Sequence, residues 1–375
     1  MTPDKQHRLA SRCHSVTCHR TVDLGSMGKF RAELLPRYTL NVSNSQPLVL
    51  TIAQSDAGDR LDRVVASHCP ELSRTRVQEL IELGLVLLNG KQAKDSQKVR
   101  PGDVIQVDAQ PRPPLRAEPE SIPLDVLYED DDLIGINKPA GMSVHAGAGN
   151  PHGTLVNALL GRGLHLSKAD DPLRPGIVHR LDKETSGVLL VAKNDFAHAR
   201  LADGFRERTV QKTYIALVQG VLAEDRGRIE LPIARHPNHR TRMTADRAGL
   251  LPNSRPARTD WRVRARIGPS TLLEIRLHTG RTHQIRVHFS ALGHPVVGDT
   301  LYGADSELHV GHASMPVLQR NFLHAAKIVF AQPRSGKSIA LIAPLPRELR
   351  DYLQALATVS GDTCIRIDDA LQGFL

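Results

Sequence analysis

Aromatic side chains make up only 3% of the 375 residues, and there is a single tryptophan, Trp261. That scarcity leaves few platforms for successive bases of a strand, so stacking along many nucleotides is not the chain's mode of binding. Cysteine is also sparse. Cys13, Cys18, Cys69 and Cys364 are too scattered for a disulfide framework in a chain of this length, and a reducing cytoplasm is the expected setting. Cys13-His14 and Cys18-His19 have the residue types of a metal site, but that polar stretch has no apolar core to fix them, so no metal is expected there. Long hydrophobic runs are missing too. None approaches the ~18 to 20 residues needed to span a membrane, and no apolar signal core is evident, so no membrane role is expected. What the chain does have is positive charge, a formal +9 at neutral pH. That favours a polyanionic partner, nucleic acid first, because neutralising phosphates releases counterions.

The length suits two domains, and no feature suggests an obligate oligomer, so a monomer is expected. Residues 1–47 are polar, basic and irregular and read as a tail. A compact α/β module follows over 48–109. It has a strand at Leu50-Thr51-Ile52, a helix carrying Leu61, Val64 and Val65, and a second helix capped by Ser73 and stopped by Gly84. A hairpin turns at Asn89-Gly90, and a closing strand runs over Val104–Val107. Arg74 and Arg76 lie in the first turn of the second helix, where cations face the positive end of the macrodipole, so helix stability does not account for them. The proline-rich segment 110–125 reads as a semi-extended linker. A larger domain over 126–353 carries strand-like runs at Leu133–Ile136, Val188–Ala192, Tyr214–Val218, Trp261–Ile267 and Leu272–Leu277, with a hairpin across Gly268-Pro269-Ser270. The fold class is α+β, with a mixed, mostly antiparallel sheet flanked by helices. Residues 354–375 show no pattern and read as a C-terminal tail.

The most informative stretch is His179-Arg180-Leu181-Asp182-Lys183-Glu184-Thr185-Ser186-Gly187, which runs into the apolar Val188–Ala192. An unbroken apolar run is how a strand covered on both faces reads, and a rigid strand anchoring a loop dense in polar side chains is a common way to build a reactive site. On residue types alone, Asp182 equally fits a surface turn paired with Arg180 or Lys183. The string resembles the central motif of the RluA-type pseudouridine synthases. Three further segments match the same family in order: Asn137-Lys138-Pro139-Ala140-Gly141-Met142-Ser143-Val144-His145; Lys212-Thr213-Tyr214-Ile215-Ala216-Leu217-Val218-Gln219-Gly220; and Thr279-Gly280-Arg281-Thr282-His283-Gln284-Ile285-Arg286-Val287-His288, continued by Gly293–Asp299 and Tyr302-Gly303. The 48–109 module resembles an S4 RNA-binding domain, which gives Arg74 and Arg76 a purpose as phosphate contacts.

The resemblance implies isomerisation of uridine to pseudouridine in RNA. The glycosidic bond is broken, the base turned, and the base rejoined through carbon 5, which needs no redox step and no cofactor. It makes Asp182 the catalytic carboxylate, as nucleophile on the sugar or as base for its 2′ hydrogen. Tyr214 is placed under the target base, where it assists proton removal from carbon 5, although its strand alternation equally fits a core tyrosine. A carboxylate in a pocket needs a cation. Arg281 is the first choice and Arg286 the second, on the reading that Thr282 caps a helix running through Leu292. Ile285 becomes a pocket wall. The base must be everted to reach such a pocket, and Arg180 is placed to fill the gap it leaves. Arg206, Arg208 and Lys212, and the alternating Arg262, Arg264 and Arg266, are candidates to track phosphates and equally fit solvated faces.

An S4 module joined to this domain resembles the RluC and RluD branch, which acts on large-subunit (23S) ribosomal RNA; tRNA remains an alternative substrate, and a non-catalytic RNA-binding or ribosome-assembly factor an alternative function. Other readings fare less well. His309-Val310-Gly311-His312 mimics an adenylating signature but has no lysine-rich loop or nucleotide-binding fold around it. Gly336-Lys337-Ser338 has Ala331 where a phosphate-binding loop needs glycine. His278, His283 and His288 recur at a spacing that turns successive rings in different directions. His179, Asp182 and Ser186 lack the strand-to-helix elbow of a hydrolytic triad.

Overall fold

The computed structural model describes residues 47–108, 117–145, 151–167, 174–239, 241–362 and 366–374. The polar stretch before residue 47, with its Cys13 to His19 cluster, lies outside them. Two compact units divide at Arg112 and Pro113.

The first unit contains β1 (Leu48–Thr51), α1 (Leu61–His68), α2 (Arg74–Glu82), β2 (Val86–Leu88), β3 (Lys91–Gln92) and β4 (Val104–Val107). The strands form one antiparallel sheet in the order β1-β4-β2-β3. The β2–β3 hairpin closes through Asn89 (φ 51°) and Gly90 (φ 75°), two successive left-handed residues that match the twist of the flanking strands. Leu61, Val64, Val65, Val77, Leu80 and Ile105 are buried together. Ser73 caps α2, its hydroxyl accepting from the Arg76 N–H.

The second unit is built on a nine-stranded sheet. Its strands are β5 (Asp125–Glu129), β6 (Leu133–Lys138), β7 (Ser186–Ala192), β8 (Gln211–Gln219), β9 (Arg226–Ile229), and, beyond a separate small pair β10 (Ile233–Arg235) and β11 (Met243–Ala245), β12 (Thr259–Ile267) and β13 (Ser270–Leu277). After a short hairpin, β14 (His309–Val310) and β15 (Ala313–Ser314), come β16 (Leu323–Ala331) and β17 (Ser338–Ile342). The order is β5-β6-β7-β16-β8-β13-β12-β9, with β17 on the far half of β16. Every pairing is antiparallel except β7 with β16. Helices α3 (Leu155–Gly161), α4 (Asp195–Arg206), α5 (Gln284–Ala291), α6 (Arg347–Val359) and α7 (Ile367–Ala370) complete the unit.

β7 is buried along its whole length. Leu189 and Val191 contribute to one hydrophobic cluster and Val188 and Leu190 to another, which is why its sequence is continuously apolar rather than alternating. Gly187 (φ 115°) is required at its start, because a Cβ there would stand 2.2 Å from the Ala325 carbonyl oxygen of β16.

The C-terminal segment corrects the expectation of a tail. α6 runs past residue 354 to Val359, and Ile367, Ala370, Leu371 and Phe374 pack into the main core. α7 spans four residues, too few for helical periodicity to show in the sequence.

Candidate active site

β7 and the turn before it set the position of Asp182. The Thr185 N–H donates to the Asp182 carbonyl (3.1 Å), closing the turn that delivers the chain into the strand. From the end of β6, the buried Lys138 ammonium donates to the carbonyls of Pro139 (2.6 Å), Met142 (2.9 Å) and Lys183 (3.1 Å), and the Gly141 N–H also donates to the Lys183 carbonyl (2.9 Å). The 138–142 loop is thereby latched onto the residue after Asp182. Burial, with the charge of Arg320 adding to it, pushes the Lys138 amine down to about 7. Ser186 is bonded to Arg320 (2.9 Å) and His324 (2.8 Å), while His179 Nε2 accepts from the Leu190 N–H (2.9 Å), so the three residues of the triad reading point to separate partners.

The Asp182 carboxylate faces a cavity of about 370 Å³, within the ~300–1,000 Å³ range of small-ligand sites. β7's leading turn, the C-terminal end of α4, the start of β8 and the start of α5 all contribute to its lining. Arg286, in the first turn of α5, reaches Asp182 with Nη1 (3.4 Å) and grips Asp299 with Nε (2.6 Å) and Nη2 (2.8 Å). Its guanidinium lies over the Tyr302 ring, 4.8 Å from the centroid. The order of preference between the two arginines is therefore corrected: Arg286, not Arg281, pairs with Asp182. Arg281 lines the cavity but donates from Nε to the Pro256 carbonyl (3.2 Å), and burial, together with Arg255 and Arg208, lowers its pKa.

The cause is local. α5 begins at Gln284, not after Thr282, because His283 takes a left-handed conformation (φ 56°) as its N-cap. The Gln284 side chain accepts from the Thr279 hydroxyl (2.7 Å) and the Arg281 N–H (3.0 Å) and donates to Arg258 O and Thr259 Oγ1 (both 3.0 Å). This folds Arg281 away from the carboxylate and swings Arg286 toward it.

Two further residues join the site. Tyr302 accepts from the Met243 N–H (2.9 Å) and is hydrogen-bonded to His283 Nδ1 (2.7 Å), which leaves His283 Nε2 3.9 Å from Asp182. Burial lowers the His283 pKa despite Asp182, and the ring is neutral at pH 7. The Thr185 hydroxyl is buried at the cavity with no hydrogen-bond partner among the described residues. The motif placed His283 and Asp299 beside known candidates, but nothing in residue spacing marked them as partners of Arg286 and Asp182.

Tyr214 is buried on β8 and also lines the cavity. Burial, and then the charge of Asp182, raise its pKa, so the phenol is protonated at neutral pH. Ile285 is buried at the wall, and Arg180 is exposed at the mouth.

Several other candidates have partners within the chain. Arg262 and Arg264 pair with the buried Glu274 (2.5 and 3.4 Å), and Arg266 pairs with Asp225 (2.7 Å). Arg264 and Arg266 also donate to carbonyls at Ala370 and Leu222. Arg206 pairs with Asp203 (2.6 Å). In the first unit, Arg74 joins Arg60 and Gln78 around the fully buried Asp62 (2.9, 3.0 and 2.8 Å), and Arg76 pairs with Glu79 (3.3 Å). Arg74's position against the macrodipole therefore has an internal cause. His278, His283 and His288 bond to Asp260, Tyr302 and Thr259 respectively.

A carboxylate held by one arginine, a buried phenol and several cations lining a cavity of about 370 Å³ suit an enzyme acting on a polyanion. The chain belongs to the RNA pseudouridylate synthase family, whose profile matches residues 132–291, and an S4 domain matches residues 59–105. It is thus an RNA pseudouridine synthase, an isomerase. Among its relatives, the ribosomal large subunit pseudouridine synthase D of Nitrosomonas europaea is 44% identical over 324 residues, covering 86% of this chain and 92% of that protein. The protein of the same name from Xanthomonas campestris is 43% identical over 323 residues, covering 84% and 95%. An uncharacterized RNA pseudouridine synthase of Chloroflexus aurantiacus is 46% identical over 318 residues, covering 84% and 96%.

Proposed function

We propose that the chain converts uridine to pseudouridine in large-subunit ribosomal RNA, acting as a cytoplasmic monomer. The relatives' names support the substrate; the observation that carries the chemistry is the Asp182 carboxylate, latched at the cavity and held by a guanidinium whose shorter bonds go to Asp299. Because Arg286 is satisfied by Asp299, its hold on Asp182 is loose at 3.4 Å, which leaves an oxygen available to the sugar. The same oxygen serves attack on carbon 1′ or removal of the 2′ hydrogen.

The uridine enters everted, at a cost of a few kcal/mol that is offset by contacts in the cavity. Arg180 at the mouth occupies the place it leaves. Tyr214, protonated, packs under the base and acts by contact and hydrogen bonding; a phenol with a raised pKa serves as the carbon 5 base only if its proton first moves elsewhere. Ile285 closes the wall. The S4 unit contacts RNA through Arg74, whose guanidinium is half exposed while one edge is pinned to Asp62, and through the neighbouring Arg76.

Mapping pseudouridines in total RNA from cells lacking the protein tests the substrate. Loss of sites confined to large-subunit RNA, restored by the native protein and not by Asp182→Asn, is expected. Loss in tRNA alone, or restoration by Asp182→Asn, would overturn the proposal.

A further inference from the structure

Lys212 is the charged group of the cavity that nothing else uses. It stands on β8 two residues before Tyr214, so both side chains leave the same face of the strand, and both line the cavity with Asp182. The strand is hydrogen-bonded on both sides there, to Leu277 of β13 and Ile328 of β16, so its position is rigid. No carboxylate lies within ion-pair distance of its ammonium among the described residues. On one side is the Phe205 ring, 5.9 Å from Nζ to the centroid, a weak cation–π contact. On the other side is Gly280, where an added Cβ would stand 3.6 Å from Nζ, so the absence of a side chain leaves the ammonium open at that point. Burial pushes the amine down to about 8, which still leaves it charged at pH 7.

A mostly buried ammonium without a counter-ion is costly in a folded protein, and the sites that retain one are generally those where an anion arrives. Among the described residues the other buried Lys and Arg side chains are provided for: Arg286 by Asp299 and Asp182, Lys138 by three carbonyls, Arg320 by Glu348 and Ser186. Arg281 and Arg206, the latter paired with Asp203, line the same cavity. Of the groups an RNA nucleotide carries, the phosphate is the only anion.

We propose that Lys212 binds a phosphate of the everted nucleotide, its ammonium supplying the counter-charge. This rests on the uridine-binding reading of the cavity. Lys212 is on this account a substrate-binding residue, and the phosphate it meets is that of the nucleotide inside the cavity, not of the surrounding strand.

Two measurements on the full-length protein test it. The first needs no turnover: the rate at which trinitrobenzenesulfonate labels Lys212, read by peptide mass spectrometry, in the presence of uridine, uridine 5′-monophosphate or uridine 3′-monophosphate. Protection by a nucleotide several-fold greater than by the nucleoside is expected. Equal protection by uridine, or protection by none of the three, overturns the assignment. The second is tritium release from ribosomal RNA of cells lacking the protein, labelled at uridine carbon 5. Lys212→Met is expected to raise KM at least tenfold with a smaller change in kcat, and Lys212→Arg to recover most of that loss. A fall in kcat at unchanged KM, or failure of Lys212→Arg to recover anything while its circular dichroism matches native, contradicts a phosphate contact. If the native protein releases no tritium, the functional reading fails, while the labelling result still decides whether Lys212 meets phosphate.

Discussion

Arg286→Lys separates the two tasks of the guanidinium. Arg286 holds Asp299 through a fork of two short bonds and reaches Asp182 with its remaining nitrogen at 3.4 Å. A lysine keeps the charge but has no planar fork, so it cannot grip the almost fully buried Asp299 on two oxygens and still face Asp182. The loss is at least one charge-assisted hydrogen bond, worth about 1.5–3 kcal/mol. At about 1.4 kcal/mol per tenfold, turnover should fall roughly 10- to 150-fold if that bond is what orients Asp182. Arg286→Met goes further: it leaves Asp299 and Asp182 without a shared cation, and breaking a buried pair in this way destabilises by about 3–5 kcal/mol. The assay is single-turnover tritium release beside thermal denaturation of each variant. The lysine variant should lose turnover with a fall in Tm of a few degrees, and the methionine variant should lose turnover with a clearly larger fall. A lysine variant within twofold of native turnover would refute the idea that Arg286 positions the carboxylate.

Other outcomes follow from the same geometry. Gly187→Ala should prevent stable folding of the second unit, or cost it about 3 kcal/mol or more, because the new Cβ meets the Ala325 carbonyl at 2.2 Å and φ is 115°; urea denaturation reads it, and a native midpoint would contradict the close approach. Lys138→Met should lower kcat roughly tenfold or more, since the Pro139 and Met142 carbonyls of the loop latched to the Asp182 turn lose their donor, each such loss costing about 1–3 kcal/mol, while the Lys183 carbonyl keeps the Gly141 N–H; a native kcat would show that the latch is not needed. In the first unit, hydrogen bonds from Arg60, and then from Arg74 and Gln78, hold the Asp62 carboxyl well below its ordinary 3.8. A depressed carboxyl contributes stability that is present above the unfolded value and lost as pH falls below it, so the protection of amides in residues 61–107, taken relative to their intrinsic exchange rates, should fall below about pH 4, and Asp62→Asn should blunt that response. Equal acid sensitivity in the variant would assign the effect to other groups.

The parts of this molecule that could be read from sequence are those where one interaction dominates. β7 is apolar without interruption because both its faces are covered, and the hairpins at Asn89-Gly90 and Gly268-Pro269-Ser270 are set by residues that accept or impose a turn. Asp182 and Tyr214 could be placed because the family resemblance ties them to a strand start and a strand interior. The choice between Arg281 and Arg286 was not legible, because it turns on a left-handed His283 and on the four hydrogen bonds of Gln284, neither of which leaves a mark in hydrophobic spacing. Thr282, a favourable N-cap by type, pointed to the wrong helix start. Arg264 and Arg266 looked available for phosphate because Asp225 and the C-terminal carbonyls that bind them are distant in sequence, whereas Glu274 is the cross-strand partner of Arg262 in the hairpin across Gly268-Pro269-Ser270. The same separation hid the packing of Ile367 to Phe374 against the core.

The most direct test of the central claim is single-turnover tritium release from carbon 5-labelled ribosomal RNA by the native protein and by Asp182→Asn at equal RNA occupancy. Release by the native protein with none by the variant, while both bind the RNA alike, is predicted. Release by Asp182→Asn at a rate near native would mean that the carboxylate facing the cavity is not the group that performs the chemistry.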